Sequence, residues 1–339
     1  MPRLKIAFHS YSPHDHLDGW GGLEQRFSVS WAYFLREEGH DVHFLPALTG
    51  CDSSFDLYWD APVRSEAGMQ CGNIHAKKHL HNYFAPDVRG VLSSCPCSLR
   101  GECYFSSPYV DKFRMMQGFE QASGGFKAVF TPIAYPDNWK PQNLIPGFDR
   151  TEIMWCNKGS LDPQYGPESR APYYPTNSVA ILKALVKLNQ KVDFKMTFVL
   201  DSLIRTARPE YGTEALIAQL RNVERLDVIP WTNLIERMSK CKINTHAGGL
   251  TSAINECLFV EAVPLAPPHF GFFTEVCQHF KIIPDPQTAT ADEIYEGLER
   301  LWFDRDWYNQ ISAAFQEPFG HNRTEGLRKA FKELLEILY

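Results

Sequence analysis

Thr245-His-Ala-Gly-Gly-Leu-Thr-Ser-Ala-Ile-Asn-Glu-Cys-Leu-Phe-Val-Glu-Ala-Val-Pro-Leu265 is the stretch on which the reading of this chain turns. The segment Cys241–Thr245 reads as a strand, Gly248-Gly249 as a tight turn, and the residues from about Ser252 as a helix. A glycine turn that opens onto a helix N-terminus presents unpaired backbone N–H groups and the positive end of the helix dipole. Both attract phosphate. Thr251 and Ser252 add hydroxyl donors, and Glu256 follows one turn later. A carboxylate there can accept hydrogen bonds from both hydroxyls of a ribose, as in dinucleotide folds. Diphosphate at the turn and ribose on the acid describe a nucleotide-sugar site. The same residue types also fit an ordinary surface loop with a solvated Glu, since short motifs match by chance.

Around this stretch, the second half alternates between the two periodicities. Strands are expected at Thr151–Cys156, Phe194–Leu200, Leu226–Pro230, Cys241–Thr245 and Val263–Ala266. Between them, helices are expected at Ser178–Leu188 with Asn177 as N-cap, at Glu214–Arg221, over 233–240 with Thr232 as cap, and from Ser252. From Asp292 to Tyr339 the pattern is mostly helical.

The first half opens in the same way. A strand at 4–8 precedes a polar loop and Gly21-Gly22. Leu23, Phe27, Trp31 and Leu35 then recur every four residues, one apolar helical face. Gly39 sits where a left-handed cap needs glycine. Asp41–Leu45 is the next strand, which completes a βαβ unit and predicts a parallel sheet. Phe55–Trp59, Val88–Leu92 and Phe126–Phe130 are further expected strands. Residues 61–110, rich in His, Cys and Pro, read as an insertion. The fold class is therefore α/β, with two doubly wound domains and a helical tail. The expected bounds are 1–145, 146–320 and a terminal helix over 321–339 that packs back on the first domain. A chain of 339 residues is long enough for two domains of about 150 each.

Composition sets limits. The net charge is -6, from 34 Lys+Arg against 40 Asp+Glu. That argues against a dedicated polyanion binder, which would be basic. The start is too short in apolar residues for a signal peptide, and no run approaches the roughly 20 apolar residues of a membrane span. The expected location is the cytoplasm. No G-x-G-x-x-G follows the first strand, which argues against a Rossmann oxidoreductase.

The 245–265 stretch resembles the donor motif of GT-B glycosyltransferases, above all the large retaining family numbered four. In that family an acidic residue opens a segment ending in Ala, Val, Pro and an apolar residue, here Glu256-Cys-Leu-Phe-Val-Glu-Ala-Val-Pro-Leu265. The glycine pair, first helix and Gly39-His40-Asp41-Val42 match the family opening. The resemblance implies two Rossmann-like domains facing across a cleft and a hexosyl or pentosyl transferase, retaining, with a nucleotide-diphosphate sugar as co-substrate and no catalytic metal. It implies that Glu256 binds ribose hydroxyls and that Thr251 and Ser252 touch the diphosphate. Val228–Trp231 would line the base pocket, with Trp231 at its edge. Lys158, and less directly Arg170, would neutralise diphosphate charge. Gly21 and Gly22 would let the first domain's backbone close on the donor phosphate. One departure is plain: the family often carries a second Glu eight positions upstream, and Gly248 stands there. The acid that would face the transferred sugar does not carry over.

An inverting enzyme needs a proton acceptor. His14, Asp15, His16 and Asp18 lie in the loop after the first strand, at the end where α/β sites form. His16 and Asp18 are the catalytic candidates, with solvated loop residues or acceptor contacts as the alternative. His75, His79 and His81 are rivals whose spacing also suits a solvated helix face. Of nine cysteines, Cys156, Cys241, Cys257 and Cys277 lie in apolar contexts and read as small buried hydrophobes. Cys71, Cys95, Cys97 and Cys103 could hold a structural zinc, with His75 as a substitute ligand; free thiols or disulfides are the alternative. Rival functions are a nucleotide-sugar epimerase of the same fold and a non-catalytic nucleotide-sugar binder. The acceptor would be a glycan, a lipid-linked sugar or a hydroxylated DNA base.

Overall fold

The computed structural model describes residues 3–10, 23–46, 51–60, 74–82, 103–107, 128–156, 178–199, 212–227, 229–245, 252–265, 274–284 and 288–339. The chain divides into two compact units: Met1–Trp139 with Gly320–Tyr339, and Lys140–Phe319.

The first unit holds a parallel sheet of six strands: β1 (Lys5–Ser10), β2 (Asp41–Pro46), β3 (Cys51–Asp60), β4 (Ile74–Asn82), β5 (Cys103–Ser107) and β6 (Ala128–Phe130). Their spatial order is β2-β1-β3-β4-β5-β6. Helix α1 (Leu23–Glu37) connects β1 to β2 and buries Phe27, Trp31 and Leu35 of the expected stripe, with Phe34 beside them. It stops because Gly39 adopts φ +89°, which lets His40 N–H reach Leu35 O at 3.0 Å and Gly39 N–H reach Arg36 O at 3.0 Å. That pair of bonds is the Schellman closure. Under α1 the core is aromatic. Trp59 stacks on Phe8 at 5.2 Å between centroids and meets Trp31 at 5.1 Å. The Trp31 indole is satisfied by Pro132 O at 2.6 Å.

Two expectations for this unit are corrected. Within 61–110 the described residues form β4 and β5, paired strands of the sheet and not an insertion outside it. His75, His79 and His81 lie on strand β4, not on a solvated helix face. His79 is 1% exposed and its ring meets Tyr58 at 5.6 Å. Expected strand 88–92 lies outside the described residues.

The second unit is a parallel sheet of five: β7 (Glu152–Cys156), β8 (Lys195–Val199), β9 (Val223–Leu226), β10 (Cys241–Thr245) and β11 (Val263–Leu265). The order is β11-β10-β7-β8-β9. Helices α2 (Ser178–Lys191), α3 (Thr213–Ile217), α4 (Trp231–Met238) and α5 (Ser252–Phe259) alternate with the strands. They are followed by α6 (Thr274–Phe280), α7 (Ala291–Phe303) and α8 (Arg305–Phe319). The chain starts in the middle of the sheet, winds one way through β8 and β9, then returns to build β10 and β11 on the other side. The strand order therefore reverses between β7 and β10, and ligands of such sheets bind beyond the carboxyl ends at that point. Strand β9 ends at Leu226 and not at Pro230. Pro230 is the N-cap of α4 in place of the expected Thr232, so Trp231 opens the helix. Proline suits a helix start because its missing N–H would have had no partner there. Helix α9 (Thr324–Leu338) closes the chain within the first unit. Its Phe331 meets Trp31 at 6.2 Å, and Arg328 forks onto Glu38 at 2.8 and 3.0 Å.

Candidate functional site

The end of β10 and the helix after it form the site. In register, Thr245 lies beside Trp155 of β7, so both strands end together at the switch point. Helix α5 begins seven residues beyond Thr245. Residues 253–260 are all buried, as an apolar sequence predicts for an interior helix. Two members break that rule. Asn255 is 7% exposed and Glu256 only 3%. Taking a carboxylate out of water costs several kcal/mol unless it is hydrogen-bonded. At Glu256 Oε1 the donor is the Trp231 indole N–H, at 3.1 Å. Glu256 therefore does not sit on a solvated loop.

Trp231 is itself fixed. It is the first residue of α4, is 5% exposed, and stacks on Phe259 at 6.3 Å with 25° between planes. Ile235 and Met238, one and two turns on, anchor α4 in the core. At its far end α5 closes with a second Schellman pair, Ala262 N–H to Cys257 O at 3.0 Å and Glu261 N–H to Leu258 O at 3.0 Å. Glu261 takes the left-handed position at φ +60° where glycine is usual. Gln316 of α8 donates to Leu258 O at 2.7 Å. The helix carrying Glu256 is thus held at both ends by the unit's own core.

The buried cations near β10 serve the fold. Arg150 donates to Ile145 O at 2.8 Å and Cys241 O at 3.2 Å, and burial lowers its pKa. Lys242, next to the amino end of β10, donates to Trp302 O at 2.9 Å and lies 3.7 Å from the Phe148 ring centroid. Burial lowers its pKa to about 8. Neither is at the carboxyl end of the strand. Burial pushes the Cys241 and Cys257 thiols up, and Cys277 up to about 12, which disfavours their thiolate forms. They pack as small apolar groups, as their sequence contexts indicate, and Cys156 is half-buried.

Of the other expected site residues, Ser252 opens α5. His16, Asp18, Gly21, Gly22, Lys158, Arg170 and Thr251 lie outside the described residues, as do Cys71, Cys95 and Cys97. Cys103 begins β5. Among the described residues no group of three or more His, Cys, Asp or Glu could hold a metal ion. No described helix is long and apolar enough to cross a membrane. What sequence reasoning missed is the bond between Trp231 and Glu256. The two residues are 25 positions apart, and nothing local in either stretch pairs them.

No protein-family model matches the chain, and no curated protein matches it in sequence. Solved structures do. A glycosyltransferase from Rickettsia africae ESF-5 superposes with a TM-score of 0.61 at 14% identity, over 100% of this chain and 98% of that one. Sucrose-phosphate synthase from Thermosynechococcus elongatus gives 0.64 at 12%, over 99% of each chain. Anabaena HepE, solved in complex with UDP and glucose, gives 0.60 at 13%, over 99% of this chain and 100% of that one. Two parallel sheets flanked by helices, a helical C-terminal end and similarity along the whole chain establish the architecture: this protein has the GT-B fold.

Proposed function

We propose that this chain is a glycosyltransferase that moves a sugar from a nucleotide-diphosphate sugar to a hydroxyl acceptor. The observation that carries the proposal is Glu256: a carboxylate in an otherwise apolar, buried helix, just past the point where strand order reverses. Packing alone would favour an apolar residue there, and local rules of this kind are broken at functional sites. HepE, a structural neighbour, is solved with UDP-glucose. A nucleotide sugar is the donor class whose ribose such an acid would hold.

In this reading Glu256 accepts from the ribose hydroxyls, and Thr251, Ser252 and the backbone amides of 250–252 hold the diphosphate. Lys158 and Arg170 offset its charge. The bond from the sugar's anomeric carbon to the phosphate oxygen breaks, and the nucleoside diphosphate leaves with the electron pair. The acceptor oxygen bonds to that carbon. Its proton passes to the leaving phosphate in a retaining enzyme, the course of the family-four resemblance, so no strong base is required. In an inverting course His16 or Asp18 would take it. The acceptor is a glycan, a lipid-linked sugar or a hydroxylated DNA base. A zinc on Cys71, Cys95, Cys97 and Cys103 would brace the first unit and take no part in the chemistry.

Incubation with a panel of nucleotide sugars, with and without acceptors, tests this. The expected products are free nucleoside diphosphate and a glycoside. An isomerised donor sugar would make the protein an epimerase, and thermal stabilisation without turnover would make it a binder.

A further inference from the structure

Trp231, expected at the edge of a base pocket, donates its indole N–H to Glu256 Oε1. We infer that Trp231 is a positioning residue, whose indole N–H sets the Glu256 carboxylate for the ribose before any nucleotide arrives. This rests on the ribose reading of Glu256 and goes beyond it, since that reading says nothing of how the carboxylate is aimed.

Three observations support it. First, the indole N–H is 3.1 Å from Glu256 Oε1, good geometry for a bond to a carboxylate. Second, the ring has little exposed surface for contact with a base, being 5% exposed and stacked on Phe259, which is itself on α5 with Glu256. Third, its helix is seated in the core, with Pro230 at the N-cap position and Ile235 and Met238 buried one and two turns on. A glutamate has three side-chain torsions, and ordering them at the moment of binding would weaken affinity. The indole bond to Oε1 restricts rotation of the carboxylate and so narrows the directions in which its other lone pairs point. The two ribose hydroxyls then meet an acceptor that is already ordered.

Discrimination between ribose and 2′-deoxyribose separates this role from a packing role. The probe is whichever of UDP, GDP or ADP binds most tightly, with its 2′-deoxy counterpart, measured by calorimetry on the full chain. Wild type should prefer the ribonucleotide. Trp231→Phe keeps the ring and removes the N–H. It should weaken the ribonucleotide about tenfold and the deoxynucleotide by less than about twofold, so that the preference shrinks. Equal loss for both, or no loss for either, overturns the inference. Failure of the underlying reading looks different. If wild type shows no preference, if none of the three nucleotides binds, or if Glu256→Ala keeps the preference, Glu256 is not the ribose acid, and the inference falls with it. Should Trp231→Phe not fold, the wild-type indole N–H resonance, identified as the one that moves in Glu256→Gln, gives the same answer. It should shift on adding the ribonucleotide and much less on adding the deoxy form. An indole signal that stays still, or moves equally for both, contradicts the inference.

Discussion

Lys242 and Glu256 are both charged side chains buried in the second unit, one on β10 and one on the helix that follows it, yet they differ in what surrounds them. The Lys242 ammonium is enclosed by the fold. It donates to Trp302 O and faces the rings of Phe148, Trp302 and Tyr308 at 3.7, 4.7 and 5.9 Å. Around it Arg305 pairs with Asp149, and the Tyr308 phenol donates to Lys242 O at 2.8 Å. Glu256 lies on the helix that follows the opposite end of the same strand, and its Oε1 accepts from the indole of Trp231, the first residue of the helix that leads from β9 into β10. Burial of a charge is therefore not by itself a sign of function. What separates the two groups is their position relative to the carboxyl ends of the strands.

That contrast is open to attack from the structural side. Gly147 lies where a Cβ would come within 2.5 Å of the Tyr308 hydroxyl and 2.7 Å of Glu261 O. Gly147→Ala should push apart the 147–149 turn and α8 beside Lys242, and lower unfolding free energy by about 1–3 kcal/mol. Nucleotide affinity per folded molecule should stay the same. Denaturant melts and calorimetry on one preparation check both halves, and a loss of affinity would blur the distinction between the two ends of β10.

A smaller effect is expected from pH. Native Lys242 has its pKa lowered to about 8, chiefly by burial, against an ordinary 10.5. Between those values the unfolded chain binds the proton and the native chain does not, so stability gains with rising pH from this group. The charge is disfavoured in the native state below about pH 8, and that penalty is gone above the ordinary value. Tyr308, whose phenol burial pushes up, stays neutral through that window, and Asp149 and Arg305 keep their charges. Lys242→Met removes the group. The stability difference should move in favour of wild type from pH 7 to pH 10, by on the order of 1 kcal/mol. Melts at the two pH values would show it, and a difference that stays constant would mean the amine is charged and well solvated in the native state.

The smallest change is expected in the first unit. Arg328 and Glu38 form a two-pronged pair with side chains 49% and 23% exposed, and the guanidinium holds the Glu38 carboxyl below its usual range. Such pairs stabilise little in water. Arg328→Ala should move Tm by no more than about 2 °C. What contribution the pair makes should be present at neutral pH and fade as the pH falls through the carboxylate range. A larger loss would mean the terminal helix is held to α1 by charge more than by Phe331 on Trp31.

Much of the architecture was legible in residue order because the second half obeys simple periods. Segments such as Glu-Ile-Met-Trp-Cys156 and Lys-Met-Thr-Phe-Val199 are short and apolar, and the helices between them carry clear stripes. Gly39 was legible for a local reason, the left-handed cap it supplies. Strand β4 was not. Ile-His-Ala-Lys-Lys-His-Leu-His-Asn82 carries three His and two Lys, and its place between β3 and β5 comes from tertiary packing that overrides its composition. At the candidate site, the motif singles out Glu256 from sequence, and the structure places it buried on α5. Its bond to the Trp231 indole was not legible, since that contact depends on how α4 and α5 pack.

Calorimetric titration of a nucleoside diphosphate into wild type, Glu256→Ala and Lys242→Met tests the central claim most directly. The account predicts that Glu256→Ala loses at least about a hundredfold in affinity, with the melting transition still cooperative, while Lys242→Met binds as wild type does. Undiminished affinity in Glu256→Ala would contradict it.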